Sequence, residues 1–254
     1  MRAKKESNRS GRRRLAAAVV GGLALALASA GAAAANRGLP EGSVPVTLNP
    51  AEFTTKIDNP YYPLRPGSRW VYRETDKDGA KKKVVVTVTD QTKRIANGIT
   101  ARVVHDVVSE SGEFVEVTDD WYAQDAAGNV WYLGEATTEY ANGQPVSTAG
   151  SFEAGVNGAQ PGVIMPAKPT VGLKYRQEYF AGQAEDRAKV ISLDAKSEVP
   201  FGHFRNLLVT KDVAPLHTPK LFEHKLFAKR IGLVEAFAIS GGSDHEVLLK
   251  FKRG

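Results

Sequence analysis

Residues 97–140, NGITARVVHDVVSESGEFVEVTDDWYAQDAAGNVWYLGEATTEY, decide the fold. Three runs, Ile99–Ser109, Phe114–Ala123 and Val130–Tyr140, are rich in β-branched and aromatic residues, which suit a pleated, half-buried surface. Asn97-Gly98, Ser111-Gly112 and Gly128-Asn129 punctuate them, and Asn-Gly is a strong hairpin signal. Connections this short join antiparallel neighbours.

The same unit recurs in both directions. Upstream, Arg69–Glu74 alternates Trp70 and Tyr72 with Arg69, Val71 and Arg73, and Lys77-Asp78-Gly79 turns it into Lys83–Thr89. Downstream, Asn142-Gly143 is another hairpin pair. Strand patterns return at Lys174–Phe180, Ala184–Leu193, Phe204–Val213, Leu221–Ala228, Leu233–Ile239 and Glu246–Lys252. The reading predicts an all-β antiparallel meander of about eleven to twelve strands. Such a meander hides its edges by curling, so a curved sheet, half-barrel or barrel with an apolar interior is expected; a two-sheet sandwich is the alternative. Residues 147–172, rich in glycine and proline, read as a long loop covering an open end.

Ahead of the strands, Asp58-Asn59-Pro60-Tyr61-Tyr62-Pro63-Leu64-Arg65-Pro66-Gly67 holds three prolines in seven residues, which forbid a helix. Residues 36–57 read as an extended lead-in, and 58–254 as a single domain. The first fourteen residues carry seven basic groups and one acid, and an uncharged Ala, Gly, Leu and Val run follows to Ala35. A basic head, an apolar run and small residues before Asn36 form a secretory signal peptide, Met1 to about Ala35. Arg12-Arg13 fits either the general secretory or the twin-arginine route. The run is long enough for an anchor, but its Ala-Gly composition and terminal alanines favour cleavage, leaving no stable membrane span. The expected location is secreted, periplasmic or cell-envelope.

Subtracting those seven and one from the 34 basic and 28 acidic residues of the chain leaves 27 of each. The excess positive charge therefore belongs to the leader, and the remainder gives no reason to expect nucleic acid as a partner. Cysteine is absent, which excludes disulfides and lipid attachment through an N-terminal cysteine.

The segments Asp58–Gly67 with Trp70-Val71-Tyr72, Trp121-Tyr122-Ala123-Gln124-Asp125, Gly128-Asn129-Val130-Trp131-Tyr132 and Gln177-Glu178-Tyr179 resemble those of a set of exported bacterial β-rich proteins, a resemblance that implies no activity. Phe227-Ala228 with Gly232-Leu233-Val234 looks like the end of exported half-barrel proteins that carry apolar ligands. That likeness implies a curved antiparallel sheet and, by analogy only, a carrier role.

Candidate chemistry is sparse. Trp70, Tyr72, Trp121, Tyr122, Trp131, Tyr132, Tyr175 and Tyr179 follow strand patterning and read as core before they read as a stacking surface. His224 shares strand parity with Phe222, Leu226 and Ala228, so it is expected on the apolar side, with Glu178, Glu185 or Asp186 as partner. A core histidine with one hydrogen bond is the plainer reading of it. Glu178 and Asp186 could oppose one another across the Ala181-Gly182 turn, a repulsion that a cation or a shared proton would relieve. Asp119, Asp120 and Asp125 bracket Trp121-Tyr122 without the alternation of a calcium loop. Ser240-Gly241-Gly242-Ser243-Asp244-His245 reads as a glycine turn, and no nucleophile elbow, phosphate loop or dinucleotide fingerprint is present.

The leading expectation is an exported non-enzymatic binding protein that holds a lipid-like or other apolar or amphipathic small molecule. His224, Glu178, Asp186, Tyr179 and Tyr122 are the candidate contacts, and no cofactor is specified. A hydrolase or metal site built on His224 with Glu178 and Asp186 is the alternative, and a structural role in the cell envelope is a third.

Overall fold

The computed structural model describes residues 38–254, so the signal peptide expected over Met1 to about Ala35 lies outside the described residues. After a short 3-10 turn at Pro50–Glu52, the strands are Phe53–Thr54 (β1), Arg69–Thr75 (β2), Lys81–Arg94 (β3), Thr100–Glu110 (β4), Glu113–Asp125 (β5), Val130–Ala141 (β6), Gln144–Ser147 (β7) and Phe152–Glu153 (β8). They continue as Gln160–Met165 (β9), Lys174–Arg176 (β10), Glu178–Tyr179 (β11), Arg187–Val199 (β12), Gly202–Ala214 (β13), Leu221–Ala228 (β14), Gly232–Ser240 (β15) and His245–Lys252 (β16).

All belong to one antiparallel sheet, not two, and its main path runs β10-β12-β13-β14-β15-β16-β2-β3-β4-β5-β6-β9-β11. The two ends of that path, β10 and β11, are separated in sequence by Gln177 alone. The sheet curls until one chain segment pairs with β12 through its first half and with β9 through its second, so the sheet is nearly closed into a barrel at this seam. Register shifts in β12–β13, β3–β4 and β5–β6 supply the extra bend. The additional strands beyond the expected eleven or twelve are mostly two- to four-residue pieces.

The turns follow from their residues. Ser111-Gly112 and Asn142-Gly143 hold paired positive φ angles (53° and 94°, 52° and 72°), the geometry that matches the twist of the flanking strands. In the turn after β2, Asp76 accepts from the amides of Asp78 and Ala80 at 2.9 and 3.0 Å.

The segment expected to cover an opening behaves differently. Residues 147–172 contain β8 and β9, and β9 is barrel wall, with Val163 and Met165 wholly buried. Gly162 lies so close to the seam that a Cβ there would sit 2.1 Å from the Gln177 carbonyl. Arg176, 1 % exposed, fastens the lead-in to this seam. Its guanidinium donates to the carbonyls of Gly42, Val44 and Pro161 and to Gln160 Oε1, at 2.6–3.3 Å.

The element that covers one end is the proline-rich segment. Gln124 Oε1 accepts from the amides of Asp58 and Asn59 at 3.0 and 2.9 Å, and Asn59 Nδ2 donates to the carbonyls of Gly128 and Pro166. Asp125 accepts from the Asn129 amide, Asn129 Nδ2 and Trp131 Nε1, each at 2.8 Å. The WYAQD and GNVW runs are therefore the lock that seats Tyr61, Tyr62 and Leu64 across the barrel.

Candidate functional site

Strand alternation sends every second residue into the lumen, and the inward residues are sorted along each strand. In β2 the inward order is Trp70, Tyr72, Glu74; in β4, Val104, Asp106. In β5 it is Glu116, Thr118, Asp120, Tyr122; in β14, Glu223, Lys225, Phe227. Apolar-to-acid order in β2 and β4 becomes acid-to-apolar in β5 and β14. Because the first pair runs antiparallel to the second, the acids gather at one end and the aromatics at the other. The expected apolar interior thus occupies only half of the barrel.

A cavity of about 230 Å³, partly open to solvent, spans both halves. At its apolar end Tyr62 packs edge-on against Tyr122 at 5.6 Å and leans on Phe227 at 6.3 Å. Tyr122 stacks on Tyr132 at 4.9 Å. Trp70 Nε1 and Tyr72 Oη donate to the wall carbonyls of Ile231 and Leu233, at 2.7 and 3.1 Å, and both residues line the cavity.

The polar half is dominated by carboxyl groups. Register places Glu74 opposite Glu246, Asp120 opposite Glu135, Glu116 opposite Glu139 and Asp212 opposite Glu223, and like charges so placed repel. Two lysines answer part of it: Lys82 Nζ lies 2.7 Å from Glu74, and Lys225 Nζ lies 3.2 Å from Asp212 and 3.7 Å from Glu223. Burial works against the Lys225 charge, but Asp212, Glu223 and Asp186 outweigh it and leave its pKa raised. Burial answers a further part by favouring the protonated form of some of these groups. Burial pushes Asp120 up to about 8, against the 2.6 Å hydrogen bond donated by Tyr132 Oη and with Asp106 and Glu116 adding to the rise. Glu135 is raised by burial and then by Asp120. Glu178 is raised by burial and then by Asp186.

The structure brings some of the anticipated residues together and separates others. Glu178 and Asp186 are both buried and within electrostatic reach of one another, with the Gln177 amide bonded to the Asp186 carbonyl at 2.8 Å. Tyr122 lines the cavity, while Tyr179 is a half-buried seam residue packed against the core. His224 does not join Glu178 and Asp186. It lies on the opposite face of β14 from Glu223 and Lys225, edge-on to Phe237 at 5.5 Å, and burial followed by Lys211 lowers its pKa. Glu185 accepts from the Gly182 amide in its own turn. The three aspartates around Trp121 also part company: Asp119 faces His105 at 2.7 Å, Asp120 faces the lumen and Asp125 caps a turn. Among the described residues, no three histidine or acidic side chains are grouped to hold a metal ion.

Sequence reasoning passed over Asp106, Glu116, Glu223 and Glu246 in the lumen. Their signal was an acid at the inward parity of a strand otherwise lined by Trp, Tyr, Val or Phe.

No family model matches this chain, and no curated protein does. Among solved structures, a Bacteroides fragilis protein described as exported and as having a YmcC-like fold is similar at TM-score 0.44 and 13% identity. A Parabacteroides distasonis protein described as a lipoprotein is similar at 0.42 and 12%. Each match covers 76% of this chain and 99% of the other. A likeness that distant carries nothing about ligand or reaction. No helix among the described residues is long and apolar enough to cross a membrane.

Proposed function

We propose that the protein is an exported, non-enzymatic binding protein that holds a small amphipathic molecule inside its barrel. One observation carries the reading: a single cavity whose lining changes from aromatic to carboxylic along its length. An apolar surface with a few convergent polar groups is the usual composition of a small-molecule site. The volume falls below the common range of about 300–1,000 Å³, so the ligand is smaller than a diacyl lipid. The apolar part rests against Tyr62, Trp70 and Tyr122, and the polar part points toward Asp120 and Glu246. The leader read from the sequence supports an extracytoplasmic location.

Native mass spectrometry of the protein purified from its exported location tests this. An added organic mass, lost in Tyr122→Ala, is the expected result. A bare mass, together with no change in Trp70 fluorescence on titration with short-chain amphiphiles, would overturn the reading.

A further inference from the structure

Charge is sorted between the inside and the outside of the wall. Residues 36–254 hold equal numbers of basic and acidic groups, and the lumen takes more acids than lysines, so the outside is left with a basic excess. Part of that excess gathers on one face. On β2, β3 and β4 the residues of parity opposite to the lumen form outward rows, which register extends to β16. One row reads Lys252, Arg69, Thr87, His105. The next reads Lys250, Val71, Val85, Val107, and the third Val247, Arg73, Lys83, Ser109. Lys81 lies in a fourth, opposite Thr75. None of these rows meets an acid before β5, where Asp119 ends the first, 2.7 Å from His105.

Register sets Arg69 against Lys252 and Arg73 against Lys83. Like charges directly opposed are destabilising, and an anionic surface laid over them would relieve the repulsion. A second observation concerns the apolar groups among these cations. The face carries an outer groove of about 540 Å³, in which half-buried Val85 and Val107 lie together with Arg69, Lys81, Lys83 and Phe114. Phe114 is 54 % exposed. A soluble polyanion has use for the cations alone. A lipid surface has use for both parts: phosphates for the guanidinium and ammonium groups, and the boundary with the acyl chains for a bare aromatic ring.

We propose that the outer face of β16, β2, β3 and β4 docks the protein onto a bilayer containing anionic phospholipid, with Phe114 entering the headgroup layer. The proposal is independent of what the lumen holds. Vesicle sedimentation tests it on the processed chain, its N-terminus checked by mass so that the basic leader takes no part. The vesicles are phosphatidylcholine alone, or phosphatidylcholine with about 30 % phosphatidylglycerol. Binding should be at least about tenfold tighter to the anionic vesicles and should weaken as salt rises from about 0.1 to 0.5 M. Each cation at such a surface is worth about fivefold, so the triple variant Arg69→Gln, Lys83→Gln, Lys250→Gln should lose roughly a hundredfold. Removing three exposed charges elsewhere, in Lys168→Gln, Lys196→Gln, Lys220→Gln, should cost less than about threefold. Phe114→Ser should weaken vesicle binding about fivefold and leave the binding of soluble polyphosphate within about twofold. The first triple variant should melt no lower than the parent, because it removes repulsion. No binding, equal binding to the two kinds of vesicle, or equal losses in the two triple variants would overturn the proposal. Polyphosphate held as tightly as the anionic vesicles, with Phe114→Ser indifferent to both, would overturn the lipid assignment in favour of a soluble polyanion.

Discussion

Replacing Asp120 with asparagine should make the protein less sensitive to rising pH. The folded-state carboxyl is pushed up to about 8 by burial, with Asp106 and Glu116 adding to it, whereas the unfolded chain titrates near 3.8. Asp106, Glu116 and Asp119 on β4 and β5, and Glu135 on β6, are acidic and act on it in the same direction. A raised folded pKa contributes stability that is complete below the unfolded value and is lost as pH climbs through the folded value. Between about pH 4 and 8 the folded state holds a proton the unfolded state has released, at about 1.4 kcal/mol per pH unit. From pH 5.5 to 7.5 that is roughly 2.7 kcal/mol for this group, or about 5–11 °C in Tm for a domain of this size. Asparagine has nearly the same shape, can accept from Tyr132 Oη, and has no proton to lose. Thermal melts followed by circular dichroism at the two pH values should show a Tm drop in Asp120→Asn that is smaller than the parent's by that amount. Equal drops in parent and variant would refute the claim that Asp120 is held protonated by its surroundings.

Three further outcomes follow from the packing. Gly162→Ala forces a methyl group into the Gln177 carbonyl, and should cost about 2–3 kcal/mol in urea unfolding; a midpoint within error of the parent's would show that the seam can spread. Arg176→Met keeps the aliphatic stem but abandons the carbonyls of Gly42, Val44 and Pro161. It should cost about 3 kcal/mol and expose residues 38–48 to limited proteolysis, and protease resistance equal to the parent's would count against the rivet. Gln124→Ala strips the acceptor from the amides of Asp58 and Asn59, for about 2 kcal/mol, and should open residues 58–67 to cleavage. If stability fell without new cleavage there, the segment would be held by its buried tyrosines instead.

Much of the wall was legible in the sequence because its signals are local. Turn pairs such as Ser111-Gly112 and alternation such as Trp70-Val71-Tyr72 need only near neighbours to be read. β9 escaped because Pro161 and Gly162 mark a loop by ordinary punctuation, although here they serve a close strand contact at the seam. His224 parts from Glu178 and Asp186 because β14 buries apolar groups on both faces, Leu226 on one and Phe227 on the other, so parity alone does not say which face is the lumen. The lumen acids escaped for an energetic reason. A carboxyl group is ordinarily solvated, and only the assembled ring shows Asp106, Glu116 and Glu223 turned toward one cavity. Glu178 and Asp186 were visible as a pair because their hairpin is local, but the burial that raises their pKa values is not.

The pairing of β2 with β16 also bears on how the molecule is made. The first long strand finds one of its two neighbours only when residues 245–252 arrive, so a nascent chain carries an unsatisfied sheet edge until β16 has been made. Contacts so distant in sequence make for slow folding. A chain stopped before β16 would lack a stave of the cask, and its two open margins would be free to recruit each other from neighbouring copies.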